Sequence, residues 1–429
     1  MQIKTNKDKS FKFLDLFAGA GGLCEGFIQK GFNPISHVEM DTAACYTLKT
    51  RMAYYYCKRN NKLDLYYSYL QGEISREAFY SHIPLNILDS VINKTISDNS
   101  FEDICTIIDK QLDGDSLDLI IGGPPCQAYS LMGRARDVNH MLDDDRNYLY
   151  TFYARFLEKY QPKYFVFENV LGLFSAKDKN GMSYLKQMRD LFKKNGYTTK
   201  FQLLNSHDYG VLQNRKRIIL IGKLNDKNFE FPQIKQWKPN AIVNDALLDL
   251  NPLQAGTGNI RKASSKKPSK WLKQANICSL EGCPITYHIA RFHNDRDLKI
   301  YKKAITLWNH ENQRLSYANL PSDLQTHKNT TTFIDRYKVV EGNQEASHTV
   351  VAHIAKDGHY YIHPDEKQNR SLTPREAARL QSFPDDYYFE GVKDIPCRTD
   401  AFKQIGNAVP VLMAKAIAET MKQLLIDKT

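Results

Sequence analysis

The 429-residue chain holds eight cysteines, yet no two form a CxxC pair and no regular framework links them. That excludes a disulfide-stapled secreted scaffold and points to a reducing compartment, expected to be the cytoplasm. No apolar run approaches the ~18 residues of a membrane span, and the opening MQIKTNKDKS has no apolar core, so neither a span nor a secretory leader is expected. Internal repeats and long low-complexity stretches are lacking too, which argues against solenoids. Negative charge is the minority: 48 Asp and Glu face 59 Lys and Arg, a net +11 that favours a polyanionic partner. This length can bury a large core and predicts two domains, or one with a big insertion.

What is present begins with Phe11 to Leu16, read as a strand, followed by the glycine-rich turn Phe17-Ala18-Gly19-Ala20-Gly21-Gly22-Leu23 opening a helix. Glycines without Cβ let a cofactor approach the backbone. The dinucleotide pattern GxGxxG needs glycine at position 24, where Cys24 stands, so a Rossmann-like turn for a cofactor other than NAD is expected. Glu39 closes the next short strand at the distance usual for a carboxylate reaching ribose hydroxyls. Residues 50–84 read as helical and Tyr-rich, an aromatic stripe assigned to packing. Val91 to Ile96 is expected as a third strand and Asp98 as the cap of the helix after it.

Leu117 to Ile121 then reads as a buried strand ending abruptly in GGPPCQAYS (Gly122 to Ser130). In open α/β sheets ligands gather beyond the carboxyl ends of strands, which places the thiol of Cys126 for chemistry; a buried core cysteine is the alternative. Another near-continuous apolar run leads into Glu168-Asn169-Val170, an acid expected half-desolvated beside Cys126 or else solvated in a loop. Two antiparallel strands follow, and between them Gln213-Asn214-Arg215-Lys216-Arg217 crowds three cations at the start of the second.

After Lys223 the composition changes. Between Asn251 and Leu280 stand Arg261, Lys262, Lys266, Lys267, Lys270 and Lys273 with no acid, a flexible basic surface suited to phosphates. Cys278, Cys283, His288 and His293 lack zinc-finger spacing, and no metal site is expected. The region to about Glu345 is expected as an irregular second domain. His348 to Ile354 and Tyr360 to Ile362 read as strands, Thr373-Pro374-Arg375-Glu376 as a capping box, and Gly406-Asn407 as a turn before a terminal helix.

Together DLFAGAGGL, Glu39, GGPPCQAYS, ENV, QNRKR, SLTPREAARLQSFP and QIGNAVP, in this order over nearly the whole chain, resemble the DNA cytosine-5 methyltransferases, bacterial restriction-modification type. The resemblance implies an α/β fold: a Rossmann-like S-adenosylmethionine-dependent catalytic domain over 1–223, a smaller irregular target recognition domain over 224–345, and a return segment over 346–429. It implies Cys126 as nucleophile, Glu168 as acid, and Arg215 and Arg217 as arginines holding the base. S-adenosyl-L-methionine is the implied cofactor, against Phe17, Ala18, Gly19, Gly21, Gly22, Leu23, Glu39, Met40, Ile96, Pro124, Leu149, Asn407 and Val409. The implied substrate is double-stranded DNA, gripped through Arg261, Lys262, Lys266, Lys267 and Lys270, by a monomer accompanied by an endonuclease specific for the same site. An RNA cytosine-5 methyltransferase and a non-catalytic DNA-binding protein are the alternatives on this fold.

Overall fold

The computed structural model describes residues 10–124, 148–278, 282–325 and 334–427. Its first half runs β1 (Lys12–Leu16), α1 (Gly22–Gln29), β2 (Asn33–Glu39), α2 (Thr42–Arg59), α3 (Leu63–Gln71), α4 (Arg76–Ser81), α5 (Leu85–Leu88), β3 (Val91–Asn93), α6 (Asp98–Leu112) and β4 (Leu119–Gly122). It continues with α7 (Leu149–Tyr160), β5 (Tyr164–Asn169), α8 (Tyr184–Lys194), β6 (Tyr197–Asn205) and β7 (Lys216–Leu224). The strands form one sheet in the order β3-β2-β1-β4-β5-β7-β6. The first five are parallel, and β7 is antiparallel to both neighbours. Strand order reverses between β1 and β4, which opens a crevice beyond their carboxyl ends.

Alternation along the strands sorts the core into two faces. Leu14, Leu16, Ile120, Phe165, Phe167 and Leu220 bury against α6, α7 and α8 through Ile104, Tyr153 and Phe192. Phe13, Leu119, Ile121, Val166 and Ile219 face Phe27 of α1 and, from the far end of the chain, Met413, Ile417 and Met421 of α14 (Val411–Ile426). Burial on both faces is what the near-continuous apolar runs predict for a parallel sheet.

The remaining elements are α9 (Asn244–Leu247), β8 (Gly258–Asn259), α10 (Lys270–Gln274), β9 (His288–Ile289), α11 (Asp295–Glu311), α12 (Pro374–Leu380) and α13 (Arg398–Asn407). A single apolar cluster joins Tyr54, Tyr66 and Tyr69 with Trp271, Phe383 and Tyr388, so the Tyr-rich insertion packs as expected. The α12 capping box forms as read, with Thr373 accepting from the Glu376 amide and the Glu376 carboxylate accepting from the Thr373 amide.

Four local expectations are corrected. The third strand stops at Asn93, and Ile96 lies beyond it, buried before α6. Ser97 caps α6 and Asp98 is its first residue, because the Ser97–Ser100 pair satisfies the opening amides reciprocally. Residues 348–354 and 360–362 form no regular strand: the Val350 amide donates to the Gln213 side chain, Ile362 makes isolated bridges, and Ala352–Ala355 is a short 3-10 turn. Side-chain partners replace a ladder at His348, Val350 and Val351, while Tyr361 and Ile362 make only scattered backbone bonds. Finally, Gly406 and Asn407 are the last turn of α13, not a free-standing turn.

Candidate active site and cofactor cleft

The carboxyl ends of four neighbouring strands converge. Leu16 of β1 is in register with Gly122 of β4, and Gly122 with Phe167 of β5. A Cβ at Gly122 would lie 1.9 Å from the Leu16 carbonyl oxygen, and one at Gly123 would lie 2.0 Å from the Glu168 carbonyl oxygen. The GG step is therefore required by two strands crowding the turn from either side. Pro124 is buried at its end, and its carbonyl accepts from the Asn169 side-chain amide at 3.5 Å. Cys126, two residues further along the chain, lies outside the described residues, as does the segment to 147.

Across the turn Glu168 is paired with Arg217, Nε to Oε1 2.7 Å. Both side chains are mostly buried, 18% and 13% exposed, so the acid is neither solvated nor alone. The antiparallel β5–β7 pairing sets Glu168 against Ile219, and Arg217, two residues earlier on β7, shares its face. A mostly buried carboxyl group and a planar guanidinium thus stand side by side at the mouth of the sheet.

Arg215 behaves differently. It is buried, and its guanidinium donates to the carbonyls of Val350 at 2.7 Å, Gly406 at 3.0 Å and Asn407 at 3.4 Å. The expectation that it holds the base is corrected: its fork is directed into the protein, where it anchors the C-terminal end of α13.

Beyond β1 the chain turns through Phe17 at φ 55°, an unusual left-handed conformation for a bulky residue. Gly19 and Gly21 are left-handed as well, at 54° and 78°. The Gly19 amide donates to Glu39 Oε2, and the amides of Met40 and Asp41 donate to Oε1, each at 2.8 Å. Burial pushes the Glu39 carboxyl above its ordinary value, and these three amides oppose the shift. A Cβ on Gly19 would meet nothing within 4 Å, whereas one on Gly22 would fall 2.3 Å from the Val409 carbonyl oxygen. Gly22 is therefore the close approach between α1 and the QIGNAVP segment, and Gly19 borders open space. Ala18 and Leu23 flank this turn, Met40 is 59% exposed, Leu149 opens α7, and Asn407 is exposed beside buried Val409. Ile96 is buried in the apolar cluster around α6, against which Phe17 also packs, and Leu23 and Val409 are buried in the cluster on the other face of the sheet.

The basic stretch is better ordered than expected. Arg261 donates to the Tyr69 and Leu70 carbonyls and Lys262 to the Gln71 side chain, so both rest on α3. Lys266, Lys267 and Lys270 are exposed. His288 is hydrogen-bonded by Thr373 and Asn251, and His293 by Ser371. Missing from the sequence reading was a buried network about Arg51, Glu25 and Asp386, for which the only signal was the crowding of tyrosines in 54–69.

The family model of the C-5 cytosine-specific DNA methylases matches residues 11–65 and 88–423. The chain belongs to that family. Among relatives of this methylase, the type II methyltransferase M.Bpa9945I of Bacillus paralicheniformis is 38% identical over 96% of this chain and 98% of its own length. Type II methyltransferase M1.HphI of Haemophilus parahaemolyticus is 29% identical over 97% and 87%. A solved structure described as a candidate DNA modification methyltransferase encoded within a prophage (E. coli) superposes with a TM-score of 0.63 at 23% identity, covering 97% of this chain and 99% of that one. The methylase is thus a DNA cytosine-5 methyltransferase of the restriction-modification type, on a mixed α/β fold with a mostly parallel central sheet. Residues 66–87, the later part of the Tyr-rich insertion, fall outside the family match. No helix among the described residues is long and apolar enough to cross a membrane.

Proposed function

We propose that this enzyme transfers a methyl group from S-adenosylmethionine to carbon 5 of a cytosine flipped out of double-stranded DNA, through a transient covalent bond between Cys126 and carbon 6. The observation that carries the reading is the Glu168–Arg217 pair, mostly buried, one strand from the Gly122-Gly123-Pro124 turn that leads to Cys126.

The cleft suits the cofactor. Gly19 faces open space, two further glycines keep Cβ atoms off the backbone, and Glu39 is held in place by three amides with its oxygens at the rim of that space. Phe17, Ala18, Gly21, Gly22, Leu23, Pro124, Leu149, Asn407 and Val409 would complete the site, with Met40 beside the adenine. When bound, S-adenosylmethionine supplies an electrophilic methyl group.

The chain's own residues do the rest. Carbon 5 of cytosine is a poor nucleophile until a thiolate adds to carbon 6, so the Cys126 sulfur forms that bond and electron density moves onto the ring. Glu168 hydrogen-bonds or protonates nitrogen 3 where the charge builds, while the Arg217 fork orients the base carbonyl. After carbon 5 has gained the methyl group its proton leaves to water, the sulfur–carbon bond breaks, and the ring regains its aromaticity. Attack on carbon 6 needs the ring face, which a stacked duplex hides, so the base must be extruded. Residues 224–345 are the proposed target recognition region, with Lys266, Lys267 and Lys270 on phosphates. The enzyme is proposed to act as a monomer in the cytoplasm, protecting the site of a cognate endonuclease.

The test is methylation of a mixed-sequence plasmid with labelled S-adenosylmethionine, followed by bisulfite sequencing. Methylcytosine at one recurring short sequence is expected. Label transferred to transfer RNA and none to duplex DNA would overturn the substrate.

A further inference from the structure

The Tyr-rich insertion has no role in the chemistry above, yet its best-buried charge lies close to the glycine turn. Arg51 of α2 is almost wholly buried. Its guanidinium donates to Glu25 through Nε at 2.9 Å and Nη2 at 2.6 Å, and to Asp386 Oδ1 through Nη1 at 2.8 Å. It also lies over the rings of Tyr54, Tyr387 and Tyr55 at 4.0, 4.7 and 4.9 Å. One cation therefore ties together α1, the insertion and the return segment. Two carboxylates and stacked rings leave its planar fork one arrangement.

The consequence falls on Tyr387. Arg51 lies across its ring, Phe383 packs on it at 4.7 Å between centroids, and Arg375 donates to its carbonyl at 2.8 Å. So fixed, its hydroxyl donates to the Ala20 carbonyl at 2.5 Å, inside the turn that follows β1. The oxygen occupies room that only a glycine leaves free: a Cβ on Gly21 would lie 2.9 Å from it and 2.8 Å from Leu48. Burial, with Glu25 close by, holds the phenol well above its ordinary value, so the hydroxyl remains a donor. A turn with left-handed residues at 17, 19 and 21 needs outside support to keep one shape, and this hydroxyl supplies it from 367 residues along the chain.

We propose that Tyr387, locked by Arg51, is a positioning residue that holds the Ala18–Gly22 turn in its cofactor-binding shape. It touches neither cofactor nor base. The proposal rests on the reading of that turn as the S-adenosylmethionine site.

The experiment compares three full-length proteins, wild type, Tyr387→Phe and Glu39→Gln, by calorimetric titration with S-adenosylhomocysteine and by steady-state kinetics. Tyr387→Phe removes one oxygen and keeps the ring packing. It is expected to raise Kd and the KM for S-adenosylmethionine about five- to tenfold, with kcat at saturation and the KM for DNA within about twofold of wild type. A merely structural role would lower kcat or the active fraction and leave the cofactor KM unmoved. If Glu39→Gln weakens binding while Tyr387→Phe binds like wild type, the brace is wrong and the site stands. If wild type fails to bind, or Glu39→Gln binds as tightly as wild type, the cofactor reading itself has failed and takes the brace with it.

Discussion

Two arginine-bearing regions of this enzyme look alike as sequence and do opposite things. In QNRKR, Arg217 emerges at the mouth of the sheet and pairs with Glu168, while Arg215 is buried on backbone carbonyls. In SLTPREAARLQSFPDD both arginines are buried, Arg375 on the Thr286 and Tyr387 backbone and Arg379 on Asp249 and Asp385, and so is Arg370 just before it, on Glu376. The segment around α12 is thus a buried ionic framework. In QNRKR one arginine stands beside Glu168 at the mouth of the sheet and the other is bound to backbone carbonyls. Removing a partner from a buried pair leaves an uncompensated charge, which makes such clusters costly to disturb and useful for fixing one arrangement.

That contrast can be tested in decreasing order of effect. Cys126→Ser should abolish methyl transfer while duplex binding in a gel-shift assay persists; measurable turnover would remove the thiol from the mechanism. Arg217→Lys should cut kcat by roughly 10²–10³ with little change in melting temperature, because an ammonium still pairs with Glu168 while the planar donor fork is lost. Arg215→Ala should instead lose about 2–4 kcal/mol of stability by stranding buried carbonyls, seen as a lowered denaturation midpoint. If the two variants exchange these signatures, the division between chemistry and architecture drawn above is mistaken.

A smaller effect concerns pH. Burial pushes the Glu390 carboxyl up to about 7, although Thr50 and Tyr69 donate to it and Arg76 lies 3.6 Å away. Unfolded, it titrates near ~4.3, so the folded protein binds the extra proton between the two values. The contribution is fully present below the lower value and is lost as pH rises through about 7. Relative to wild type, Glu390→Gln should therefore gain roughly 2 kcal/mol between pH 5.5 and 8. A stability difference that stays flat over that range would place the titration elsewhere. Smallest, replacing Lys266, Lys267 and Lys270 with Ala should lower the slope of log affinity against log salt by roughly 2–3, about 0.9 for each lost phosphate contact. An unchanged slope would take that loop off the DNA.

Much of the fold is legible in the sequence. Sheet strands, both glycine turns, the helix opened by Thr373 and the order of motifs follow from local chemistry: apolar runs of strand length, glycines where only φ > 0 or a close approach fits, and a reciprocal cap. Those signals act over a few residues, and a linear reading captures them. Its errors share a cause. Residues 348–354 have strand composition but find the Gln213 side chain instead of a ladder, and Gly406-Asn407 has the composition of a free turn but closes a helix.

By itself, then, the sequence determined the sheet, the cleft at the ends of its strands and the membership of the chemistry-bearing motifs. Only the tertiary structure decided which charged side chains face that cleft and which are walled in. Arg217 and Arg215 are two residues apart, yet one meets a carboxylate on β5 and the other carbonyls about 135 and 191 residues along the chain. Burial and hydrogen-bond partners are properties of residues brought together in space, and spacing along the chain does not encode them.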